Sequence, residues 1–351
     1  MSDKKNNILN RVLVAPLDWG LGHATRCIPL IHRLLEEGNQ VYLAGSGPSG
    51  HLLRTEFPRL PYTEIPSHAI RYSKNAKGFA WTLLKQIPAL IRQIRKERKW
   101  LNEYLTNHSI DQVISDNRYG LYHPSTHNII LTHQLNVQTE TVSWLEKFIN
   151  KILSRLLTNF DAVWVPDVEG VPNLSGELGH PTNALPIPVK YIGNLSRFTP
   201  NHPAIIAEKI TILLSGPEPQ RTILEEKCLR ELAEWKGPIT LIRGLPLGGK
   251  PIDAPPHWQV FDHLPIDLLQ QQIEEAEWVI ARCGYSTLMD LDALNKQAIL
   301  IPTPGQPEQE YLARHLSDRK EWAGIDQSKD LLSTLNIARS LPITNGNFTS
   351  G

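Results

Sequence analysis

Four consecutive residues near the N-terminus, Gly20-Leu21-Gly22-His23, combine a tight turn with a side chain that can move a proton. Glycine permits close backbone turns, and a neutral imidazole can take a proton from a hydroxyl group near pH 7. Asp116 follows a predicted strand at residues 112–115 and could orient His23 and stabilise its protonated form. Two structural alternatives stay open: the loop is a strand-to-helix turn, and Asp116 caps the turn after it.

A second group of candidates lies in the C-terminal half. Residues 213–217 end one predicted strand, and residues 282–287 follow a later one and lead into a helix. The free amides of a helix start bind phosphate, and serine or threonine is a natural cap there. A serine that only caps a structural helix is the alternative. The residues predicted to hold a diphosphate are Gly284, Tyr285, Ser286 and Thr287, and Gly216 and Arg221, in and after the loop that follows the first strand of this half, are predicted to bind the same ligand.

Asp290 and Asp292 have the spacing of a metal-binding Asp-x-Asp pair. We do not predict a metal site, because residues two apart on a helix point about 200° apart around its axis. The sequence gives no reason to expect a cofactor. Gln309 and Glu310, in the proline-rich segment 302–310, offer hydrogen-bonding groups suited to sugar hydroxyls, with a solvated surface loop as the alternative.

These candidates need an alternating series of strands and helices to position them. Short apolar runs alternate with longer helical patterns, which predicts parallel sheets wrapped by helices. Residues 25–37 are predicted as the helix after the first loop, and the proline-rich stretch 171–203 as a linker or boundary loop. We therefore expect an N-terminal domain over residues 1–190, a linker over 191–205, a C-terminal domain over 206–340 and a tail over 341–351.

Composition and charge exclude several other classes of protein. Lys plus Arg equals Asp plus Glu at 36 each, so bulk charge gives no support to a nucleic-acid partner. Residues 1–200 carry 22 basic and 16 acidic side chains and the remainder 14 and 20, a split that fits a basic surface near an anionic membrane or a solvated face. Three scattered cysteines, no signal-like start and no run of about 18 apolar residues favour a cytoplasmic protein.

The motifs together resemble the GT-B glycosyltransferases, in particular family 28, which includes the lipid-linked N-acetylglucosaminyltransferase of peptidoglycan synthesis. Residues 20–23 resemble the acceptor-side glycine loop of that family, and residues 284–294 resemble its donor-side helix. The resemblance implies two Rossmann-like domains whose parallel sheets face an inter-domain cleft. It also implies an inverting, metal-independent transfer of a sugar from a nucleotide donor, such as UDP-GlcNAc, to an acceptor hydroxyl on a lipid or cell-envelope glycan.

The resemblance also implies individual roles. Asp290 falls where the family binds the ribose, Gln309 and Glu310 fall where it binds the sugar, and residues 260–264 border the base. Glu310 replaces a glutamine, and residues 217–221 replace a glycine-rich turn, so the sugar and the diphosphate role of that loop stay open. The remaining residues with an implied role are Asp262 and His263 on the donor side, and Gly20, Gly22, Arg118 and His133 on the acceptor side.

Two helical segments raise further expectations. Residues 79–100 mix apolar, aromatic and basic side chains and suggest peripheral contact with the inner face of a membrane, although Pro88 is expected to break the helix. Residues 141–157 are expected to face the core through Trp144, Phe148, Ile152 and Leu156. The alternatives to a transferase are a nucleotide-sugar epimerase of the same fold and a non-catalytic scaffold of that shape.

Overall fold

The computed structural model describes residues 10–66, 79–138, 143–317, 319 and 321–340, and the predicted tail 341–351 lies outside them. The chain divides into two compact units. The first unit contains the residues up to Thr199 together with Gly284–Ala293, and the second contains Pro200–Cys283 and the residues from Leu294 onward. The segment Gly284–Ala293 was expected in the C-terminal domain, but it packs with the first unit.

The first unit is built on a parallel sheet of seven strands in the order β3-β2-β1-β4-β5-β6-β7. After β1 the chain adds β2 and β3 on one side of the sheet, and it then crosses back to add β4 to β7 on the other side. Strands β1 and β4 are therefore neighbours at a topological switch point. The central strands are largely buried through apolar segments such as residues 12–15 and 129–131, as expected for a sheet covered on both faces. The strands are β1 (Arg11–Pro16), β2 (Gln40–Gly45), β3 (Tyr62–Glu64), β4 (Gln112–Asp116), β5 (His127–Leu131), β6 (Ala162–Val165) and β7 (Val189–Tyr191).

Helices cover this sheet, and three of the sequence expectations change. Helix α1 begins at Gly22 rather than residue 25, so His23 lies in its first turn. Helix α3 continues through Pro88, because losing one backbone hydrogen bond does not end a helix of 29 residues. Helix α4 packs through Ile149, Leu153 and Leu157, while Phe148 is exposed, so its core face is one position round from the predicted stripe over residues 148–156; the side chain of Trp144 lies outside the described residues. The helices are α1 (Gly22–Glu36), α2 (Gly47–Glu56), α3 (Phe79–Asn107) and α4 (Ser143–Leu157).

The proline-rich stretch 171–203, predicted as a linker or boundary loop, contains more regular structure than its prolines suggested. It contains a short 3-10 helix at Gly176–Leu178 and the edge strand β7, which pairs in parallel with β6. Prolines flank these elements rather than interrupt them, which is where proline is tolerated. Over the described residues, no helix is long and apolar enough to cross a lipid bilayer.

The second unit repeats the same architecture with six parallel strands in the order β10-β9-β8-β11-β12-β13. Here β8 and β11 are the neighbours at the switch point. The helices are α5 (Gln220–Glu231), α6 (Ile266–Glu275), α8 (Pro307–His315) and α9 (Leu331–Ser340), and α7 (Tyr285–Ala293) belongs to the first unit. The strands are β8 (Ile206–Leu213), β9 (Ile239–Ile242), β10 (Trp258–Phe261), β11 (Ala276–Arg282), β12 (Ala298–Ile301) and β13 (Trp322–Gly324).

Candidate active site

The switch point of the first unit places His23 beside Asp116. Pro16 and Asp116, the last residues of β1 and β4, are paired in the sheet, and the backbone NH of Leu17 donates to the Asp116 carbonyl. Gly20 adopts φ +84°, a conformation that suits glycine, and the chain then enters α1 at Gly22. The turn therefore brings the His23 ring back over the end of β4.

The imidazole of His23 is held by a buried carboxylate. Nδ1 of His23 lies 3.0 Å from Oδ1 of Asp116, and the Asp116 side chain is fully buried. Burial alone would raise the pKa of Asp116, but the charges and hydrogen bonds of Arg26 and His23 hold that pKa well below its usual range. Asp116 is therefore an anion that accepts hydrogen bonds, while 18% of the His23 side chain stays exposed and can reach a ligand.

Arg26, which the sequence analysis did not select, connects this pair to a second histidine. Its Nε donates to Asp116 Oδ2 over 2.8 Å, and its Nη2 donates to Asp116 Oδ1. Its Nη1 lies 3.1 Å from His133 Nδ1, and Arg26 is almost fully buried. Arg26 follows His23 by one helical turn, and that spacing was the available signal for it.

The contact with Arg26 fixes the tautomer of His133. A guanidinium only donates, so Nδ1 of His133 accepts and its proton is on Nε2. Nδ1 of His23 lies 3.0 Å from both Asp116 Oδ1 and Arg26 Nη2, and the two N–H groups of Nη2 can serve both of these neighbours. In the tautomer that donates from Nδ1 to the carboxylate, Nε2 of His23 is the nitrogen that can act as a base.

The start of α7 packs against the same group of residues. The Tyr285 ring stacks on His133 with centroids 3.9 Å apart and planes 1° apart, and its hydroxyl donates to the Pro166 carbonyl over 2.9 Å. Tyr285 is buried, so it supports the helix start rather than facing a ligand as predicted. Gly284, Ser286 and Thr287 remain partly exposed.

Gly22 and Ser286 are in close contact. A methyl group at Gly22 would lie 2.7 Å from Ser286 Oγ, closer than real contacts allow. The lack of a side chain at residue 22 therefore lets the starts of α1 and α7 approach each other. The predicted acceptor loop and the predicted diphosphate helix meet here, within the first unit.

Asp290 and Asp292 are bound by different partners. Ser196 Oγ donates to Asp290 Oδ1 over 2.8 Å, and Arg197 Nε lies 3.4 Å from its other oxygen. Asn194 donates to Asp292 over 3.2 Å. Burial raises the pKa of Asp290 against the opposing effects of Arg197 and Ser196. The Asp290 carboxylate thus anchors α7 to residues 194–197, which does not support the predicted contact with a ribose.

Arg118 is buried and bonds to neighbouring residues of the fold, whereas it was predicted to contact the acceptor substrate. Its Nη1 lies 3.0 Å from Glu97 Oε1, its Nη2 lies 3.6 Å from Asp18 Oδ1, and its Nε donates to the Pro16 carbonyl. Its side chain is fully buried, and burial raises the pKa of Glu97 against the charge of Arg118. The predicted direct role of Arg118 is therefore not supported, and its visible function is to hold the loop after β1.

In the second unit, the loops after β8 and β12 lie next to each other. Gly216 adopts φ +98°, and a methyl group there would lie 3.9 Å from Thr303 Oγ1. Gln309 accepts a hydrogen bond from the Thr303 amide over 2.8 Å, and Glu310 accepts one from the Gly305 amide over 2.9 Å. Residues 309 and 310 are in the first turn of α8 rather than in a loop, and both stay partly exposed.

Other predicted donor residues have structural partners. Arg221 is buried and donates to Glu218, Glu225 and Thr222, so its contacts do not support a role in phosphate binding. Asp262 accepts from the Gly249 amide over 2.8 Å, and that bond, with the charge of Arg243, lowers its pKa. It thereby shapes the loop between β9 and β10.

His263, next to Asp262, is exposed and remains a candidate for contact with the base.

A buried arginine at the second switch point was not selected from the sequence. Arg282 ends β11 and donates to the Gln220 carbonyl over 2.7 Å and to the Pro302 carbonyl over 3.1 Å. No carboxylate of the described residues offsets its burial, and burial lowers its pKa to about 10. Arg282 thus places an unneutralised positive charge beneath the loops after β8 and β12.

The described residues contain no group of three or more His, Cys, Asp or Glu side chains arranged to hold a metal ion. Asp290 and Asp292 do not form such a group, because each hydrogen-bonds to a different residue.

Comparison with known proteins places this geometry in a wider fold. Residues 259–338 match the family model described as the glycosyltransferase family 28 C-terminal domain. A comparison of the sequence with curated proteins gives no match, so the wider relationship is seen in three dimensions.

Solved structures of glycosyltransferases share the fold at low sequence identity. The glycosyltransferase of kitacinnamycin has a TM-score of 0.63 and 13% identity, covering 94% of this chain and 90% of that one. The spinosyn rhamnosyltransferase SpnG in complex with thymidine diphosphate has a TM-score of 0.61 and 16% identity, covering 90% and 86%. MurG from Acinetobacter baumannii has a TM-score of 0.53 and 16% identity, covering 93% and 89%. The chain therefore has the fold of the GT-B glycosyltransferases, and its residues 259–338 are similar to the C-terminal domain of glycosyltransferase family 28.

Proposed function

We propose that this protein is an inverting glycosyltransferase that moves a sugar from a nucleoside diphosphate to an acceptor hydroxyl. The observation that carries the proposal is the His23–Asp116 pair, in which Nδ1 of a partly exposed imidazole lies 3.0 Å from a buried carboxylate at the switch point of a parallel sheet. Ligands of open α/β sheets bind at such points. The fold and the family 28 domain support the same reaction class.

In the proposed reaction, Nε2 of His23 takes the proton of the acceptor hydroxyl. The hydroxyl oxygen bonds to the anomeric carbon while the bond from that carbon to the phosphate oxygen breaks. The nucleoside diphosphate leaves as an anion, and Asp116 stabilises the imidazolium through the Nδ1 proton. A single displacement of this kind inverts the anomeric centre.

The proposed donor contacts are amides and one buried cation rather than a metal ion. Ser286 and Thr287 lie in the first turn of α7, where free amides suit a diphosphate. Arg282 supplies positive charge with no carboxylate to neutralise it among the described residues. Asp290 and Asp292 are bound to separate partners, which favours metal-independent binding. Gln309 and Glu310 are the proposed contacts with the sugar.

We propose a UDP sugar such as UDP-GlcNAc as the donor. The thymidine diphosphate bound to SpnG shows that one protein of this fold takes a pyrimidine nucleotide. Calorimetric titration with UDP, dTDP and GDP sugars tests the donor. We expect UDP sugars to bind most tightly, and no measurable affinity for any of the three classes contradicts the proposal.

Replacing His23 tests the chemistry. We expect His23→Ala to lower kcat by about a hundred-fold or more while donor affinity stays within a few-fold, because the imidazole acts on the acceptor. Chromatographic measurement of UDP release with and without an added alcohol separates a transferase from an epimerase, which needs no acceptor. Unchanged kcat in His23→Ala contradicts the assignment of the base.

We also propose peripheral contact with an anionic membrane surface, at the inner face. Arg92, Arg95 and Lys96 are exposed on one stretch of α3, and Lys99 is 79% exposed. The side chains of residues 79–87, which carry the apolar part of this prediction, lie outside the described residues. Sedimentation with phosphatidylserine vesicles should exceed that with phosphatidylcholine vesicles and fall at high salt. Equal sedimentation with both contradicts this contact.

A further inference from the structure

A cavity in the first unit is lined by residues that adjoin Asp116 and the loop before His23 in the sequence. Its volume is about 640 Å³ including its mouth. It is bounded by the loop after β1, by α3 and by the loop after β4. Trp19 immediately precedes Gly20, and Asn117 immediately follows Asp116, so the chain itself keeps this cavity close to the proposed base.

Much of the cavity wall is apolar. Trp19 and Tyr119 contribute ring surface, and Leu90 and Ile94 contribute aliphatic surface from α3. These α3 side chains are partly buried rather than packed into the core. Such a wall suits a ligand with a hydrocarbon skeleton, since small-molecule sites are mostly apolar with a few polar groups that fix orientation.

The charged groups at this cavity carry no excess of positive charge. Asp18 and Glu97 line it, and no lysine or arginine does so among the described residues. Arg118 is fully buried and pairs with both carboxylates. Two carboxylates and one guanidinium leave this group with a formal charge of −1, which repels a phosphate.

Asn117, which lines the cavity, carries a hydrogen-bond acceptor that has no donor. The side-chain oxygen of Asn117 is buried and has no hydrogen-bond partner. Asn117 holds this position with φ +54°, a left-handed conformation that asparagine tolerates. A buried acceptor without a partner is unfavourable until a ligand donates to it. A hydroxyl or amine does so, whereas a deprotonated phosphate cannot.

We propose that this cavity binds the acceptor, and that the acceptor is a hydroxyl-bearing molecule with an apolar skeleton and no phosphate group. The inference rests on the proposed function, because only a transferase has an acceptor. Asn117 accepts a hydrogen bond from the ligand, the apolar wall holds its skeleton, and the negative group formed by Asp18, Glu97 and Arg118 excludes a phosphorylated lipid. The sugar-accepting hydroxyl then lies toward His23.

Two probes with the same alkyl chain test this proposal: hexyl β-D-glucopyranoside and hexyl phosphate. Each is titrated calorimetrically into the full-length protein without any nucleotide. We expect the glucoside to bind at least ten-fold more tightly than the phosphate. Trp19→Ala should weaken glucoside binding about ten-fold and Asn117→Leu about five-fold, while Leu247→Ala, at an exposed position in the second unit, should not change it.

Gln134→Lys, which adds a cation to the cavity lining, should shift the preference toward hexyl phosphate. The proposal is overturned if neither probe binds, if the phosphate binds as tightly as the glucoside, or if Asn117→Leu leaves glucoside affinity unchanged in a protein with wild-type thermal stability. Donor titration separates this test from the proposed function. Glucoside binding without affinity for any nucleotide sugar refutes the transferase alone, and the reverse refutes the acceptor class alone.

Discussion

Arg26 controls the charge around the proposed base. It neutralises Asp116 and also bonds to His133, while Cys27 lies 3.6 Å from the same carboxylate. In Arg26→Met the charge of Asp116 is opposed by His23 alone, so the protonated imidazole is favoured. We expect the acidic limb of kcat/KM against pH to move to higher pH in Arg26→Met, and to return toward the wild-type position in Arg26→Lys. A profile that keeps its position while activity falls indicates a purely structural role.

A buried lysine makes stability depend on pH. Lys296 Nζ donates to the carbonyls of Glu274 and Ala276, and burial lowers its pKa to about 8, with Glu274 opposing and Lys209 adding to the effect. The unfolded chain holds this proton up to about pH 10. Between pH 8 and 10 the unfolded state therefore binds more protons, and the free energy of unfolding rises with pH.

Buried Cys228 and Cys283, whose pKa values burial raises, oppose this trend, so the difference from Lys296→Met is the quantity to measure. Urea unfolding at pH 8 and pH 10 should show wild type gaining about 1–2 kcal/mol relative to the variant. A constant difference over this range would mean that Lys296 titrates normally in the folded protein.

At the scale of elements, the close approach of α1 and α7 explains why residue 22 is glycine. The methyl group of Gly22→Ala would lie 2.7 Å from Ser286 Oγ and 3.5 Å from Ser286 Cβ, so the Ser286 hydroxyl would have to rotate away. We expect this variant to weaken UDP-sugar binding about ten-fold and the double variant Gly22→Ala/Ser286→Gly to recover part of the loss, as coupled neighbours do. Fluorescence titration measures both. If the double variant binds no better than Gly22→Ala, the collision is not the cause.

Strand periodicity and turn chemistry predicted most of the elements, because buried parallel strands are near-continuous apolar runs. The pairing of His23 with Asp116 also followed, since strands of one sheet end at the same edge. The sequence could not show which charged side chains form ion pairs or hydrogen bonds with other residues of the fold. Arg118 and Asp290 are charged residues that were predicted to contact a ligand, but the fold buries both beside opposite charges. Arg26 was missed because its partners are 90 and 107 residues away.

At the scale of the whole molecule, the first unit is discontinuous in sequence. Residues up to Thr199 pack with α7, which the chain supplies only after β11. Tyr285 stacks on His133, and Asp290 bonds to Ser196, so a fragment that ends at Thr199 lacks both contacts. Removing them leaves apolar surface and buried polar groups without partners.

We therefore expect the fragment 1–199 to unfold at lower temperature than the first unit of the intact protein, and to expose its His133 region to hydrogen exchange. A synthetic peptide of residues 282–295 should raise the unfolding temperature of the fragment in a concentration-dependent way, because a ligand of the folded state stabilises it by mass action. The same peptide with Tyr285→Ala and Asp290→Ala is the matched control and should have little effect. Equal stabilisation by both peptides would mean that these two contacts do not anchor α7, and that the first unit is complete without it.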